Sequence, residues 1–301
     1  MIISASRRTD IPTYYSNWFF NRVMDGYVLV RNPMNAHQIS KIALNPDVVD
    51  GIVFWTKNPI PMLNELKILH DYMYYFQFTL NSYAQDVEAH VPNKQKHIIP
   101  AFKKLSDMIG PDRVIWRYDP IFLNDTYTPE YHIRYFERIA KELSPYTKKC
   151  TISFIDFYRN TSKNVSGLSL RDFPEETQKS LAKELAAIAH SYGLLIDTCA
   201  EGIELQEYGI EHARCIDDRL LSKLLECPLD IGKDKSQRLE CGCIESIDIG
   251  AYNSCRNGCK YCYANYSEKT VRSNFAKHIP DSPLLFGEVG SDDKIIIACF
   301  R

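Results

Sequence analysis

The chain has 301 residues, of which 45% are hydrophobic and 25% charged, so it is long enough for a substantial core in one large α/β domain or two smaller ones. Its 36 lysines and arginines against 38 aspartates and glutamates give a formal net charge of -2, which excludes a global basic field that would attract nucleic acid. The N-terminal apolar run is too short for a signal peptide and no segment approaches the length of a membrane span, so we expect a cytoplasmic protein.

Short apolar runs alternate with helical patterns from the N-terminus onward, which is typical of repeated βα units around a parallel sheet. Strands are predicted at residues 2–6, 51–55, 75–80, 114–118, 150–155, 194–198 and 244–249, and polar residues follow most of them. Helices are predicted near residues 16–24, along residues 98–109, after the capping residue Thr128, and between Pro174 and Gly193.

This alternation predicts an α/β fold, namely a parallel (β/α) TIM-like barrel, closed or partial, with its site at the carboxyl ends of the strands. We expect residues 1–200 to form the (β/α) repeats and residues 201–279 to form a cysteine-rich region that completes the barrel and binds clusters. Residues 280–301 are expected to be a C-terminal tail, a hairpin or a strand that docks on the body, and Cys299 within it is interpreted as a small apolar residue.

The cysteines carry the clearest chemical signal. Ten cysteines in a reducing cytoplasm would remain thiols, so their clustering indicates metal binding rather than disulfides. Cys255, Cys259 and Cys262 follow the last predicted strand with the spacing Cys-x3-Cys-x2-Cys. Three thiolates on a 4Fe-4S cluster leave one iron open for a small molecule, whereas a structural zinc site closes with four protein ligands. A zinc knuckle or a chance grouping of thiols is the alternative interpretation.

This spacing, with Tyr261 just before the third cysteine, resembles the signature of the radical S-adenosylmethionine superfamily, and residues 259–265 are similar to its spore photoproduct lyase-like branch. The chain also resembles an uncharacterised domain-of-unknown-function family that carries the motif at its C-terminal end. In the superfamily the cluster loop follows the first strand, whereas here it follows the last. The resemblance therefore implies a circularly permuted core, in which the seventh predicted strand lies beside the first.

The resemblance implies an enzyme that cleaves S-adenosylmethionine reductively to methionine and a 5'-deoxyadenosyl radical, which acts on an unknown substrate. It also implies an electron donor such as flavodoxin or ferredoxin, and an anaerobic or well-reduced cytoplasm. Positions near strand ends predict the cofactor contacts, although an ordinary structural or solvated role stays open for each of them. These contacts are Asp10 for the ammonium, Arg117 for the carboxylate, Thr79 and Asn81 for the ribose, and Tyr261 for the adenine, while Lys57 and Glu201 are candidates for touching substrate.

A second set of thiols precedes the three-cysteine loop and consists of Cys199, Cys215, Cys241 and Cys243. Four thiolates can fully ligate a second 4Fe-4S cluster or one zinc ion, and auxiliary clusters of this kind occur in many relatives of the superfamily. We favour the second iron–sulfur cluster, with structural zinc and unligated thiols as alternatives. Cys227 could replace Cys215, and Cys150 is interpreted as a core residue.

Two other functions remain open at this point. The first is a non-catalytic zinc or iron–sulfur binding protein, in which the metal-bound cysteines only stabilise the C-terminal third of the chain. The second is a nucleic-acid-modifying or repair enzyme, which the similarity to spore photoproduct lyase favours and the near-neutral charge disfavours.

Overall fold

The computed structural model describes residues 1–156 and 159–298, so Cys299 lies outside the described residues. The strands in this part of the chain are β1 (Ile2–Ala5), β2 (Tyr27–Arg31), β3 (Gln38–Ala43), β4 (Gly51–Thr56), β5 (Tyr74–Thr79), β6 (Val114–Ile121), β7 (Lys149–Phe154), β8 (Leu195–Thr198), β9 (Glu211–His212), β10 (Ile247–Asp248) and β11 (Lys294–Ile297). The α-helices are α1 (Ile11–Tyr14), α2 (Ser16–Met24), α3 (Ile60–Leu63), α4 (Ile99–Ile109), α5 (Pro129–Leu143), α6 (Arg159–Asn164), α7 (Glu175–Ser191), α8 (Asp218–Leu225) and α9 (Glu268–Phe275).

The chain folds into two compact units, and neither is a continuous stretch of sequence. The first unit comprises residues 1–75, 246–257 and 264–301, and the second comprises residues 76–245 and 258–263. The chain begins in the first unit, passes to the second within β5, and returns shortly before β10. It then passes to the second unit once more over residues 258–263. The three-part division expected from the sequence stays a prediction.

Parallel strand pairing organises both units. In the first unit β10, β1 and β4 are neighbours, and Ile3 of β1 lies opposite Ile247 on one side and Ile52 on the other. In the second unit β5, β6, β7, β8 and β9 are neighbours in that order, and each adjacent pair is parallel.

This strand order confirms two sequence predictions. The fold class is parallel α/β, and the predicted seventh strand lies beside the first because β10 pairs with β1. Closure of the sheet into a barrel stays a prediction, as does its relation to a permuted radical S-adenosylmethionine core.

The helices of the second unit bury the apolar stripes that the sequence shows. Phe102 and Leu105 of α4, Phe136 of α5 and Leu185 of α7 are fully buried, as helical spacing of apolar residues requires for packing on a sheet. The predicted helix ends are confirmed as well. The Thr128 hydroxyl accepts the Tyr131 backbone N–H at 3.3 Å to cap α5, and Gly193 adopts a positive φ of 70° after α7.

The first unit contains a small second sheet that the sequence does not reveal. Strands β2 and β3 form an antiparallel pair, and β11 lies parallel to β3. Leu29, Ile39 and Leu284 form a buried apolar cluster in this region. Among the described residues, no helix combines the length and the apolar character needed to cross a bilayer.

Candidate metal centres

The loop that carries the first three cysteines is fastened at its base in the first unit. Asn253 has a positive φ of 54°, which asparagine tolerates better than most residues, and its N–H donates to the carbonyl of Ala264 at 3.0 Å. The Asn253 side-chain oxygen accepts the Tyr266 N–H at 2.6 Å, and its carbonyl accepts the Asn274 amide at 3.1 Å. These bonds hold the two ends of the loop together.

Asp248 at the end of β10 ties the loop entrance to β1. One carboxylate oxygen accepts the Ser6 hydroxyl at 2.6 Å and the Gly250 N–H at 3.0 Å. The other accepts the Ser4 hydroxyl and the Arg7 N–H, both at 2.8 Å. Sequence reasoning missed Asp248, although a carboxylate inside the apolar run Ile247-Asp248-Ile249 was a signal that it needed buried partners.

Asp10 is a second anchor for the same loop. Its Oδ1 accepts the Thr13 N–H at 3.1 Å and the Thr56 hydroxyl at 2.8 Å. Its Oδ2 accepts the N–H of Lys57 and the side-chain amide of Asn257, both at 2.9 Å. Asn257 stands between Cys255 and Cys259 in the sequence, so this contact positions the cysteine loop against the ends of β1 and β4.

These four bonds use the acceptor capacity of the Asp10 carboxylate. Burial raises the pKa of Asp10, although the Lys57 N–H and the side chains of Thr13, Asn257 and Thr56 act in the opposite direction. The contact predicted between Asp10 and the ammonium of S-adenosylmethionine stays a prediction, and it would require one of these donors to be released.

Tyr261 anchors the part of the loop that belongs to the second unit. Its ring is buried in an apolar cluster with Tyr83, Val87 and Phe122. Its hydroxyl donates to the carboxylate of Glu88, which is also paired with Lys94. Burial, followed by the neighbouring Glu88 charge, raises the pKa of Tyr261 well above its ordinary value. The side chain therefore fastens the loop, and its predicted contact with adenine stays a prediction.

Asn81, which follows β5, lies next to Tyr261. Its side-chain amide donates to the Asp119 carbonyl at 2.7 Å and to the Tyr261 hydroxyl at 3.2 Å. Its side-chain oxygen is buried and has no hydrogen-bond partner among the described residues. Thr79, the other predicted ribose contact, is the last residue of β5 and is half-buried. Asn81 therefore retains an acceptor that a ligand hydroxyl could use.

The backbone around the three cysteines is held by two asparagine side chains. The amide of Asn265 donates to the Cys255 carbonyl at 2.8 Å in the first unit, and that of Asn164 donates to the Cys262 carbonyl at 2.7 Å in the second. All three cysteine side chains are half-buried. Across the described residues, no set of three or more histidine, cysteine, aspartate or glutamate side chains already stands at metal-binding spacing.

The four remaining predicted thiols come together in the second unit. Cys199 follows β8, and its Sγ lies 3.1 Å from Sγ of Cys215, which lies beyond β9. Cys243 is hydrogen-bonded to both Cys215 and Cys241, so the four sulfurs form a continuous row of neighbours. This group, which we call the four-thiol cluster, unites residues separated by more than forty positions in the chain.

Electrostatics within the four-thiol cluster oppose full ionisation. The hydrogen bond from Cys243 lowers the pKa of Cys241 to about 7 against the effect of burial. The hydrogen bond to Cys215 lowers the pKa of Cys243, but the bond to Cys241 and burial outweigh it and bring the value to about 11. Cys199 has its pKa raised well above the ordinary value by its hydrogen bond to Cys215 and by burial. Adjacent thiolates repel, and a bound cation would favour the deprotonated form of all four.

Arg117 of β6 faces this cluster. Its Nη1 donates to Sγ of Cys215 at 2.9 Å and to the Gln77 side chain at 3.3 Å, and its Nε donates to Asp119 at 3.1 Å. Burial disfavours the charge, but Asp119 and then Cys215 and Cys199 raise the pKa of Arg117 well above its ordinary value. Sequence reasoning missed this contact with sulfur. The pairing of Arg117 with the cofactor carboxylate stays a prediction.

The structure also gives the positions of the remaining cysteines and of the two residues predicted to touch substrate. Cys227 follows α8 and is exposed, so Cys215 rather than Cys227 belongs to the four-thiol cluster, and Cys150 is buried in β7. Glu201 accepts the Phe154 N–H at 2.8 Å, and burial raises its pKa to about 7. Lys57 contributes its backbone N–H to Asp10. The predicted contacts of Glu201 and Lys57 with substrate stay predictions.

Comparison with known proteins identifies the family of this chain. No curated protein matches the chain. The profile described as "Domain of unknown function (DUF1848)" matches residues 2–264, a range that includes both sets of cysteines. This agrees with the resemblance to an uncharacterised domain family. Because the match covers nearly the whole chain, the protein belongs to the DUF1848 family.

Proposed function

We propose that this protein is a radical S-adenosylmethionine enzyme whose 4Fe-4S cluster is held by Cys255, Cys259 and Cys262. The observation that carries the proposal is the Cys-x3-Cys-x2-Cys spacing on a loop that follows β10, a strand paired with β1. Three thiolates leave one iron coordination position for the cofactor, whereas four would close the site.

The surroundings of the loop support this donor set. The carbonyls of Cys255 and Cys262 each accept a hydrogen bond from an asparagine amide, and all three thiols are half-buried. Asp10 and Tyr261 fasten the intervening residues through Asn257 and Glu88. A loop whose backbone is held in this way presents its ligands with little further loss of conformational freedom on binding.

Held by Cys255, Cys259 and Cys262, such a cluster would supply the electron for reductive cleavage of S-adenosylmethionine into methionine and a 5'-deoxyadenosyl radical. The role of the protein's own residues would be to position the cofactor and the substrate and to exclude water. Asn81 is suited to accept a hydrogen bond from a ribose hydroxyl, because its buried side-chain oxygen lacks a partner in the described part of the chain.

Anaerobic preparations of the native protein and of Cys259→Ala test the proposal, with Cys227→Ala as the matched control at an exposed thiol. We expect an electron paramagnetic resonance signal from the reduced native protein that changes on adding S-adenosylmethionine, together with release of 5'-deoxyadenosine. Cys227→Ala should retain both properties. Cys259→Ala should fold with an unchanged circular dichroism spectrum and lose both. Cleavage that persists in Cys259→Ala would rule the proposal out.

A further inference from the structure

We propose that the four-thiol cluster of Cys199, Cys215, Cys241 and Cys243 is a tetrahedral site for a single divalent cation of the zinc class. Zinc is an alternative that the sequence left open, and we choose it here over the iron–sulfur cluster that the sequence favoured for these residues. The site belongs to the second unit alone, and the proposal stands whether or not the three-cysteine loop performs radical chemistry.

The spacing of the sulfurs carries the argument. A tetrahedron with metal–sulfur bonds of about 2.3 Å has sulfur–sulfur edges of about 3.8 Å. The Cys199 and Cys215 sulfurs are 3.1 Å apart, and Cys243 is hydrogen-bonded to both Cys215 and Cys241. The sulfurs of Cys199 and Cys215 are therefore slightly closer together than two ligands of a single ion. Because no three side chains of the described residues already stand at metal-binding spacing, the thiols must rotate about their side-chain bonds to admit one.

A four-iron cluster requires a wider spacing of the cysteine sulfurs. Each cysteine then binds a different iron, so the sulfurs stand at the outer corners of the cluster rather than around one ion. The Cys199 and Cys215 thiols, now in direct contact, would have to separate far enough to enclose four irons and four sulfides. The short separation of the Cys199 and Cys215 sulfurs fits one ion better than a cluster of that size.

The backbone around the cluster limits how far the thiols can separate. The N–H of Cys199 donates to the Ile152 carbonyl at 2.9 Å, and the N–H of Ile244 donates to the Ile216 carbonyl at 3.2 Å. At Gly242, between two of the cysteines, an added Cβ would lie 2.9 Å from a side-chain carbon of Arg214 and 3.1 Å from the Ala213 carbonyl oxygen. The Cys241-Gly242-Cys243 turn is thus packed closely against the chain beside Cys215.

Charge and hydrogen bonding complete the site. Four thiolates around a divalent cation carry a net charge of -2, and the buried guanidinium of Arg117 lies 2.9 Å from Sγ of Cys215. The backbone N–H of Ile216 donates to Sγ of Cys243 at 3.4 Å. Donors of this kind around metal-bound sulfur offset the negative charge and orient the ligands. Arg117 is therefore a positioning residue of the proposed site.

Metal and sulfide analysis of the anaerobically prepared native protein is the first test. With the radical cluster loaded, we expect about four irons, about four sulfides and one zinc per chain. About eight irons and eight sulfides without zinc would overturn the proposal and restore the second cluster. Protein that binds neither zinc nor added cobalt(II) at this site would also overturn it.

Variants assign the zinc to the four-thiol cluster. Cys243→Ser should lose zinc and, after cobalt(II) substitution, the intense visible absorption of a tetrathiolate site, whereas Cys227→Ser should retain both. Cys259→Ser should lose iron and sulfide and keep its zinc, which separates failure of this proposal from failure of the proposed function. If Cys243→Ser does not fold, the cobalt(II) spectrum of the native protein still decides, because absence of tetrathiolate bands would refute the site.

Discussion

The Asp10 carboxylate offers the sharpest test of how the cysteine loop is held. In Asp10→Asn, an amide nitrogen replaces one oxygen and must face two hydrogen-bond donors. In one orientation these are the Lys57 N–H and the Asn257 amide, and in the other they include the Thr13 N–H that Asp10 caps. Hydrogen bonds to a charged acceptor contribute about 1.5–3 kcal/mol each, and the variant loses one or two of them, since the Thr56 hydroxyl can turn to accept from the amide. Removing a buried charge offsets part of this loss, so we expect the free energy of unfolding to fall by about 2–4 kcal/mol.

Urea unfolding followed by tryptophan fluorescence measures this change, because Trp18 and Trp55 belong to the same unit as Asp10. Asp47→Asn is the matched control, since Asp47 is an exposed carboxylate of the same unit. It should stay within about 0.5 kcal/mol of the native protein. Iron retention after gel filtration should also fall in Asp10→Asn and stay unchanged in Asp47→Asn. A stability for Asp10→Asn equal to that of the control would refute the anchoring role.

Two further predictions concern packing and pH. Gly250→Ala should lower the free energy of unfolding by about 1–3 kcal/mol, because the new Cβ would lie 2.1 Å from the Ser6 hydroxyl, whereas Gly232→Ala, in open space, should be neutral in the same urea titration. Burial lowers the pKa of His132 from 6.5 to about 4, so the unfolded state binds its proton first as the pH falls. Stability should therefore be full above about pH 6.5 and decline by about 3 kcal/mol as the pH drops to about 4. His132→Gln should flatten that part of the pH profile, and an unchanged slope would contradict the assignment.

Much of the fold could be predicted because its signals are local. The capping residue Thr128 and the glycine at position 193 mark helix ends through their own backbone preferences, and both confirmed their predicted roles. The adjacency of β10 and β1 was predicted as well, from the permuted order that the family resemblance implied. A C-terminal strand that docks on the body was one expectation, and β11 agrees with it. Its partners β2 and β3 could not be predicted, because these short strands show no clear alternation and Ile39 finds its partner Ile295 far along the chain.

Some features of the candidate sites could likewise be predicted from the sequence, and others depend on the tertiary structure. The sequence alone determines the spacing of Cys255, Cys259 and Cys262, since three thiols so close in the chain share one loop whatever the rest of the fold does. Only the tertiary structure decided that Cys215 rather than Cys227 joins the other thiols, and that Arg117 donates to its sulfur. It likewise decided that four donors from separate segments surround the Asp10 carboxylate. Such contacts depend on how distant strands and turns pack, and no local pattern of residue types specifies them.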